Sequence, residues 1–405
     1  MDGCGPFGMF ESSDLDFPSD GPPPPAAALQ LALEDQRRSP LAAPTPGAEA
    51  GGGFSLASTV RGLPRAKKVD GRFEIDEKDF PGYRSFGFRD FLRWQRSVPK
   101  METFAEGELE RALPVHTPDF PAIEAPPRDK IQATWLGHSS VLVQWHGWNV
   151  LADPIFSKRC SPSQWVGPAR LRPTPCGAGD LPKVDAVVIS HNHYDHLDYG
   201  SVRELARRSP PPIWFVPLGM KGWLGRAGVR NVVEMDWSEA VALRDDGDRP
   251  DLVVSCVPVQ HWCKRAPGEV NAGLNQCLWS GWACHAAGTG YFFGGDTGYA
   301  GPMFRRIGEA LGPFRLAAIP IGAGGSEVER WFHAPNHQSP EEAVAMAVDI
   351  RAEHSIGVHW GTFQLTYEPF LSPPKRMAVE RDRLGLPRDS FVAMHHGETR
   401  SWLLR

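Results

Sequence analysis

No run of 18 consecutive apolar residues occurs in the sequence, so nothing in it reads as a membrane-spanning helix. It also has no Cys-x-x-Cys pair. Its seven cysteines, at 4, 160, 176, 256, 263, 277 and 284, are odd in number and scattered. They read as reduced thiols in an intracellular protein. The absence of any Asn-x-Ser/Thr sequon agrees with that. The first residues are acidic and poor in Arg, with no basic stretch leading into an apolar one, so neither a secretory signal nor a transit peptide is expected. Positive charge is short as well: 43 Lys and Arg stand against 48 Asp and Glu, a net charge of −5. That balance argues against a nucleic-acid partner. There is no Gly-x-x-x-x-Gly-Lys-Ser/Thr loop, so nucleotide-driven phosphoryl transfer has no support. The expected location is intracellular, cytoplasmic or peripheral at a membrane.

What is present is an ordinary globular composition, 41% hydrophobic and 22% charged over 405 residues, enough for a sizeable core. Residues 1–68 read as a disordered tail, rich in Pro, Gly and Ala. Residues 1–60 hold eight acidic and two basic side chains, and low hydrophobicity with one-sided charge does not offset ordering entropy. Phe7, Phe10 and Phe17 read as scattered tail aromatics. Residues 69–130 read as an ordered extension. Within it Phe86–Arg96 has helical spacing, with Phe88, Phe91 and Leu92 on one side and Arg89, Arg93 and Arg96 on an adjoining one. Such a helix either packs on its own domain or lies on an anionic membrane. A catalytic domain is expected over 131–405, with Thr134–Trp145 and Asn149–Ala152 as strands.

The chemistry concentrates in His191-Asn-His193-Tyr-Asp195-His196, which follows the strand-like run Val184–Ser190 and precedes a helical stretch from Ser201. His191 and His193 are two apart and cannot share an ion on a helix; in a turn they can. Asp195 and His196 are adjacent and leave the backbone in different directions. The simplest geometry is one ion for each pair. Imidazole and carboxylate without thiolate suit zinc, and equally iron or manganese. Similar residues recur downstream at strand ends: His261 after Leu252–Gln260, Asp296 after Tyr291–Gly295, and His359 after Ser355–Val358. Gathering such ends on one sheet edge is how α/β folds build sites. Asp153, His138, Asp198 and His396 read as groups that orient ligands, and Lys264-Arg265 as a surface pair. Gly137–Val141 lacks the closing Gly of a nucleophile elbow.

His191-x-His193-x-Asp195-His196 with His261, Asp296 and His359 resembles the metallo-β-lactamase superfamily. The resemblance implies an α/β fold, an αββα sandwich, with two zinc ions per chain. It assigns His191, His193 and His261 to the first ion, Asp195, His196 and His359 to the second, and Asp296 to both. Trp135-Leu-Gly-His138, Ser161-Pro-Ser-Gln164, Gln260-His-Trp-Cys-Lys-Arg265, Gly295-Asp-Thr-Gly-Tyr299 and His359-Trp-Gly-Thr362 resemble, more narrowly, the phospholipases D that hydrolyse N-acylphosphatidylethanolamine. That similarity, over about residues 85–400, implies a phospholipid substrate, a membrane surface as partner and a homodimer. Two cations would bring the pKa of a water toward neutrality for attack on phosphorus. Asp195 and Asp296 are then catalytic, and His337 hydrogen-bonds the substrate or leaving group. Gln164, Trp165, Asn336 and His337 are the substrate contacts expected. Trp262, Trp331, Phe332, Trp360 and Phe363 flank these motifs and line an acyl groove in this reading.

The sequence departs from that family at Ile321–Phe332, which is long before Arg330, at Asn336, where Gln is expected, and at Trp165, where Tyr is expected. These departures leave the lipid preference open. Two other readings compete: a lactonase or tRNA-processing phosphodiesterase on the same fold, and a non-enzymatic metal- or lipid-binding scaffold.

Overall fold

Short apolar runs form the buried strands of this chain, and their pairing sets where the loops between them emerge. The computed structural model describes residues 49–50, 54–245 and 247–404. Phe7, Phe10 and Phe17 lie outside the described residues. One mixed sheet runs edge to edge through Val232–Met235, Ile213–Pro217, Ala186–Val188, Trp148–Ala152, Ser140–Trp145, Lys130–Gly137 and Thr399–Leu403. The other runs through Glu49–Ala50, Phe54–Thr59, Glu239–Leu243, Leu252–Val257, Gly281–Ala286, Thr289–Phe293, Leu316–Pro320, Ser355–Val358 and Phe391–Ala393. Ala186–Val188 is buried throughout and parallel to both neighbours, with Ala186 opposite Val150 on one side and Ile213 on the other. A strand covered on both faces needs a continuous apolar run, which is what precedes His191.

The inner faces meet. The rings of Trp145 and Tyr291, from opposite sheets, lie 6.2 Å apart, and the Trp282 indole donates to the Ile189 carbonyl at 2.9 Å. Trp135, Trp145, Trp148, Trp214, Trp279 and Trp282 are all fully buried, so the abundant tryptophan is mostly core. The helices Gly301–Leu311 and Pro340–Asp349 pack on each other, the second against Leu316–Pro320. Pro340–Asp349 starts on a capping box: Ser339 Oγ accepts from Glu342 N, and the Glu342 carboxylate accepts from Ser339 N at 2.7 Å. The αββα sandwich is as the sequence predicts.

Two expectations change. Thr134–Trp145 is not one strand. It breaks at His138-Ser139 into the hairpin Lys130–Gly137 and Ser140–Trp145, with His138 in the left-handed region at φ 52°. Nor does a tail extend to 68. Phe54–Thr59 is a strand paired with Glu239–Leu243, and Val60 and Leu63 are buried in the core. The stretch reads Phe-Ser-Leu-Ala-Ser-Thr, too short for its alternation to stand out from the tail, and its pairing with Glu239–Leu243 is what makes it a strand. The sheets thus exchange ends: the early strand Phe54–Thr59 joins the second sheet, and the last strand, Thr399–Leu403, joins the first.

Candidate metal centre

The loops that leave Ala186–Val188, Leu252–Val257, Thr289–Phe293 and Ser355–Val358 converge. They bring together all seven of His191, His193, Asp195, His196, His261, Asp296 and His359. His191, His193 and His261 form one group, with His193 Nδ1 at 2.8 Å from His191 Nε2 and 3.2 Å from His261 Nε2. Asp195, His196 and His359 form another: Asp195 Oδ2 lies 3.3 Å from both His196 Nε2 and His359 Nε2. Asp296 sits between the groups. Its Oδ2 is 3.1 Å from His196, 3.0 Å from His359, and 3.8 Å from both His191 and His261. Gly295 allows this placement: it adopts φ 58°, and a Cβ there would overlap the Ser190 side chain.

The electrostatics call for positive charge in the middle. Burial works to raise the Asp296 carboxyl, but the His196 and His359 imidazoles outweigh it and hold it well below the usual range. Asp195 behaves alike, with burial opposed first by His196. Burial disfavours charge on His359, yet Asp296 and Asp195 bring it up to about 9. Burial pushes His193 down to about 4 and His261 to about 3, so these rings are neutral and ready to donate a lone pair. His193 Nε2, His196 Nε2 and Asp296 Oδ1 are buried and make no hydrogen bond. Imidazole and carboxylate donors at this density fit a pair of divalent cations.

Most of the rings are anchored from behind. His196 Nδ1 faces Asp153 Oδ2 at 2.6 Å, His191 Nδ1 faces Ser190 Oγ at 2.9 Å, and His261 Nδ1 donates to the Asn336 carbonyl at 3.0 Å. Such bonds fix the tautomer and aim the other nitrogen inward. Asp153 also accepts from Ser190 N at 2.7 Å, an orienting role as expected. His138 Nε2 reaches Asp195 Oδ2 at 2.9 Å, while its carbonyl accepts from His359 N at 3.0 Å and Trp135 Nε1 at 2.8 Å. Thr362 Oγ1 accepts from His138 N and lies 2.9 Å from His396 Nε2, so His396 supports the site from below. His138, Asp153 and His359 all have positive φ, 52°, 35° and 60°. Backbone strain of this kind clusters where geometry is over-determined. Asp198 is a helix cap, accepting from Ser201 N at 3.1 Å.

Arg265 corrects the expectation of a surface pair. It is 5% exposed and donates to the carbonyls of Asn192 and Leu197 at 2.8 and 3.1 Å, clamping the His-rich loop at both ends. Its guanidinium lies 3.9 Å from the Tyr194 ring centre and bonds Glu269 at 2.7 Å; Glu269 also accepts from Trp223 Nε1 at 2.6 Å and from the Tyr194 hydroxyl. No sequence signal separates this arginine from its exposed neighbour Lys264, because its partners are backbone atoms about 70 residues away.

The expected substrate contacts fare unequally. His337 Nδ1 lies 3.9 Å from Asp296 Oδ2, and the His337 side chain, 17% exposed, is more open than the His191, His196, His261 and His359 rings. Burial, helped by the neighbouring His261, His359 and His333 rings and only partly opposed by Asp296, leaves its pKa well below the ordinary value. Asn336 contributes its carbonyl to His261. Gln164 spends both ends of its amide on the Arg159 backbone, at 3.0 Å each, inside its own loop. Trp165 is 90% exposed. The structure does not bring these two into the cluster. Trp262 packs edge-on to His193 at 4.5 Å, and Trp360 stacks on Trp135.

Beside the centre, the helix Phe88–Ser97 packs through Trp94, not through the side carrying Phe88. Trp94 stacks on Phe332 at 5.1 Å, and Phe86 stacks on the same ring at 5.4 Å. The Trp94 indole donates to Glu329 at 2.9 Å. Glu329 is fully buried and also accepts from Tyr367 N at 2.7 Å and Ser326 N at 3.0 Å, so it fastens the extension and two loops together. Phe88 is 73% exposed, and Phe91 is also exposed. Among the described residues no helix is long and apolar enough to cross a membrane.

A profile described as a β-lactamase superfamily domain matches residues 148–360. The chain is 40% identical to the N-acyl-phosphatidylethanolamine-hydrolyzing phospholipase D 1 of Caenorhabditis elegans over 297 residues, 72% of this chain and 80% of that protein. It is 34% identical to the mitochondrial N-acyl-phosphatidylethanolamine-hydrolyzing phospholipase D of Saccharomyces cerevisiae over 248 residues, 61% of this chain and 51% of that one. A metallo hydrolase from the archaeon Ignicoccus hospitalis matches in structure with a TM-score of 0.48 and 21% identity, covering 68% of this chain and all of that one. By the profile match, the relatives and the fold, the chain belongs to the metallo-β-lactamase superfamily and, within it, to the family of N-acylphosphatidylethanolamine-hydrolysing phospholipases D.

Proposed function

We propose that this protein, a hydrolase of the metallo-β-lactamase fold with a candidate His/Asp metal site, is a two-zinc phospholipase D. It hydrolyses N-acylphosphatidylethanolamine to N-acylethanolamine and phosphatidic acid at a membrane surface. The observation that carries the reading is Asp296 Oδ2, set within 3.0–3.8 Å of four imidazoles from both ligand groups, in a chain whose named relatives act on that lipid. When bound, a pair of zinc ions supplies Lewis acidity to a phosphodiester and an activated water.

The chain's own residues do the rest. His191, His193 and His261 would hold one ion, Asp195, His196 and His359 the other, and Asp296 both. Asp195, braced by His138, orients the attacking water toward phosphorus. His337, neutral and the more open of the rings around Asp296, hydrogen-bonds a phosphate oxygen or the departing ethanolamine oxygen. The P–O bond to the N-acylethanolamine breaks, and the proton lost by water ends on that oxygen. The exposed Phe88 and Phe91, beside Arg89 and Arg96, give a face suited to an anionic bilayer. The aromatic stack of Phe86, Trp94, Trp331 and Phe332 supplies an apolar wall for acyl chains.

The test is hydrolysis of N-acylphosphatidylethanolamine in mixed micelles by purified protein, beside Asp296→Asn and a chelated sample. N-acylethanolamine that vanishes in both controls is the expected result. No product from a protein holding two metal ions would turn attention to lactones and other phosphodiesters. Metal binding with no turnover of any ester would favour a scaffold.

A further inference from the structure

Three rings of the candidate centre have their outward nitrogen anchored directly, on Ser190, Asp153 and Asn336. His359 does not: its Nδ1 is buried with no protein partner. That nitrogen belongs to a ring lining a cavity of about 20 Å³, shared with Gln364, Thr366 and Glu368. Glu368 is 7% exposed, and its Oε1 accepts from Ala323 N, at a backbone position of φ 61°. Its Oε2 is buried with no protein partner, and so is Gln364 Nε2. Three orphaned polar atoms, one ring donor, one amide donor and one carboxylate acceptor, thus belong to residues around a space of single-water size. A water needs roughly 10–15 Å³ and two to four polar partners.

We infer that Glu368 is the positioning residue of His359, acting through one ordered water that receives the His359 Nδ1–H and donates to Glu368 Oε2. Gln364 Nε2 donates to the same water. The effect is that of the direct anchors elsewhere in the centre. The Nδ1–H tautomer is fixed, Nε2 is aimed at Asp195 and Asp296, and a carboxylate one water away raises the basicity of the ring. The inference rests on the reading of these residues as a two-metal centre. It gives His359 the carboxylate–histidine pairing that His196 obtains directly from Asp153.

The test is a zinc titration of the full chain against a competing chelator, comparing wild type with Glu368→Gln. Glutamine keeps an oxygen for Ala323 N, so a merely structural role for Glu368 predicts no change. The positioning role predicts one ion bound as in wild type and the other bound about 10–100-fold more weakly. Glu368→Asp, which keeps the charge, should recover part of that loss. Unchanged affinity at both sites in Glu368→Gln overturns the inference, and so does an equal loss at both. A wild type that binds fewer than two ions overturns the two-metal reading instead, and this inference with it. If Glu368→Gln does not fold, the wild type with cobalt in place of zinc still decides. The His359 Nδ1–H proton should exchange slowly with solvent, and rapid exchange overturns the inference.

Discussion

The two flanks of the candidate centre are held by different forces. The 191–196 loop is clamped by polar atoms: Arg265 bonds its two ends, Asp153 fixes His196, and His138 holds both Asp195 and the His359 backbone. The opposite flank, made by the helix Phe88–Ser97 and the 326–337 segment, is held largely by stacked rings, with Glu329 as its polar node. Hydrogen bonds in a buried setting are short and directional, so they hold ligands to tenths of an ångström. Ring stacks tolerate offsets, and a half-exposed stack accepts changes of shape. In the proposed reading the metal ligands sit on the first flank, and the second carries the choice of lipid together with the His337 contact. The departures from the family pattern fall mainly on the second.

The largest effect should break the first flank at its centre. Asp296→Asn is expected to lower hydrolysis by about 1,000-fold or more and to reduce bound metal, read by turnover in micelles and by metal analysis. Replacing the anchor behind a ring should do less. Asp153→Asn leaves the ligands in place but weakens the hold on His196, and metal affinity should fall about 10–100-fold in a chelator competition. Arg265→Met removes a buried cation that satisfies two carbonyls and leaves Glu269 without its charge partner. A loss of about 3–5 kcal/mol in denaturant unfolding is expected, and a loss below about 1 kcal/mol would mean the clamp is ornamental.

The second flank should respond differently. Phe88→Ser with Phe91→Ser is expected to weaken sedimentation with anionic vesicles by about tenfold while leaving metal content and hydrolysis of detergent-dispersed lipid unchanged. Equal vesicle binding by the double variant would remove that face from the membrane reading.

The smallest expected effect lies outside both flanks and calibrates them. Burial lowers the His285 pKa to about 4, with Nε2 donating to the Leu311 carbonyl. The ring stays neutral in the fold but is protonated below about 6.5 in the unfolded chain. Its contribution to stability is therefore complete above that pH and is lost as pH falls toward 4. At pH 5.5 the loss is about 1 kcal/mol, and His285→Gln should flatten that part of the curve in unfolding experiments at pH 5.5 and 7.5.

The clamped flank was largely legible in the sequence because its ligands follow strands whose apolar runs are unambiguous. Ala186–Val188 announces His191, and Ser355–Val358 points to His359 once the first His-rich cluster is recognised. What lay hidden is what depends on partners distant in the chain. Arg265 looks like any arginine until Asn192 and Leu197 arrive beside it. Glu368 stands nine residues past a ligand with no local pattern to mark it. The hairpin break at Gly137–Ser139 lies between two apolar runs that read as one strand, although Gly137 and His138 both take positive φ there, 103° and 52°. The strand Phe54–Thr59 was lost to the tail because only its pairing with Glu239–Leu243 makes it a strand.

The exchange of terminal strands between the sheets has a consequence in time. Every candidate ligand has been synthesised once residue 359 is made, but the first sheet still lacks its edge. Thr399–Leu403 must pair with Lys130–Gly137, and Gly397 N must reach the Trp135 carbonyl, before His396 sits under Thr362. The support beneath His138 is therefore made only some 40 residues of translation after the last candidate ligand. Metal capture is then tied to the strand Thr399–Leu403, and a purified chain truncated after residue 393 should bind zinc more weakly than one that carries it.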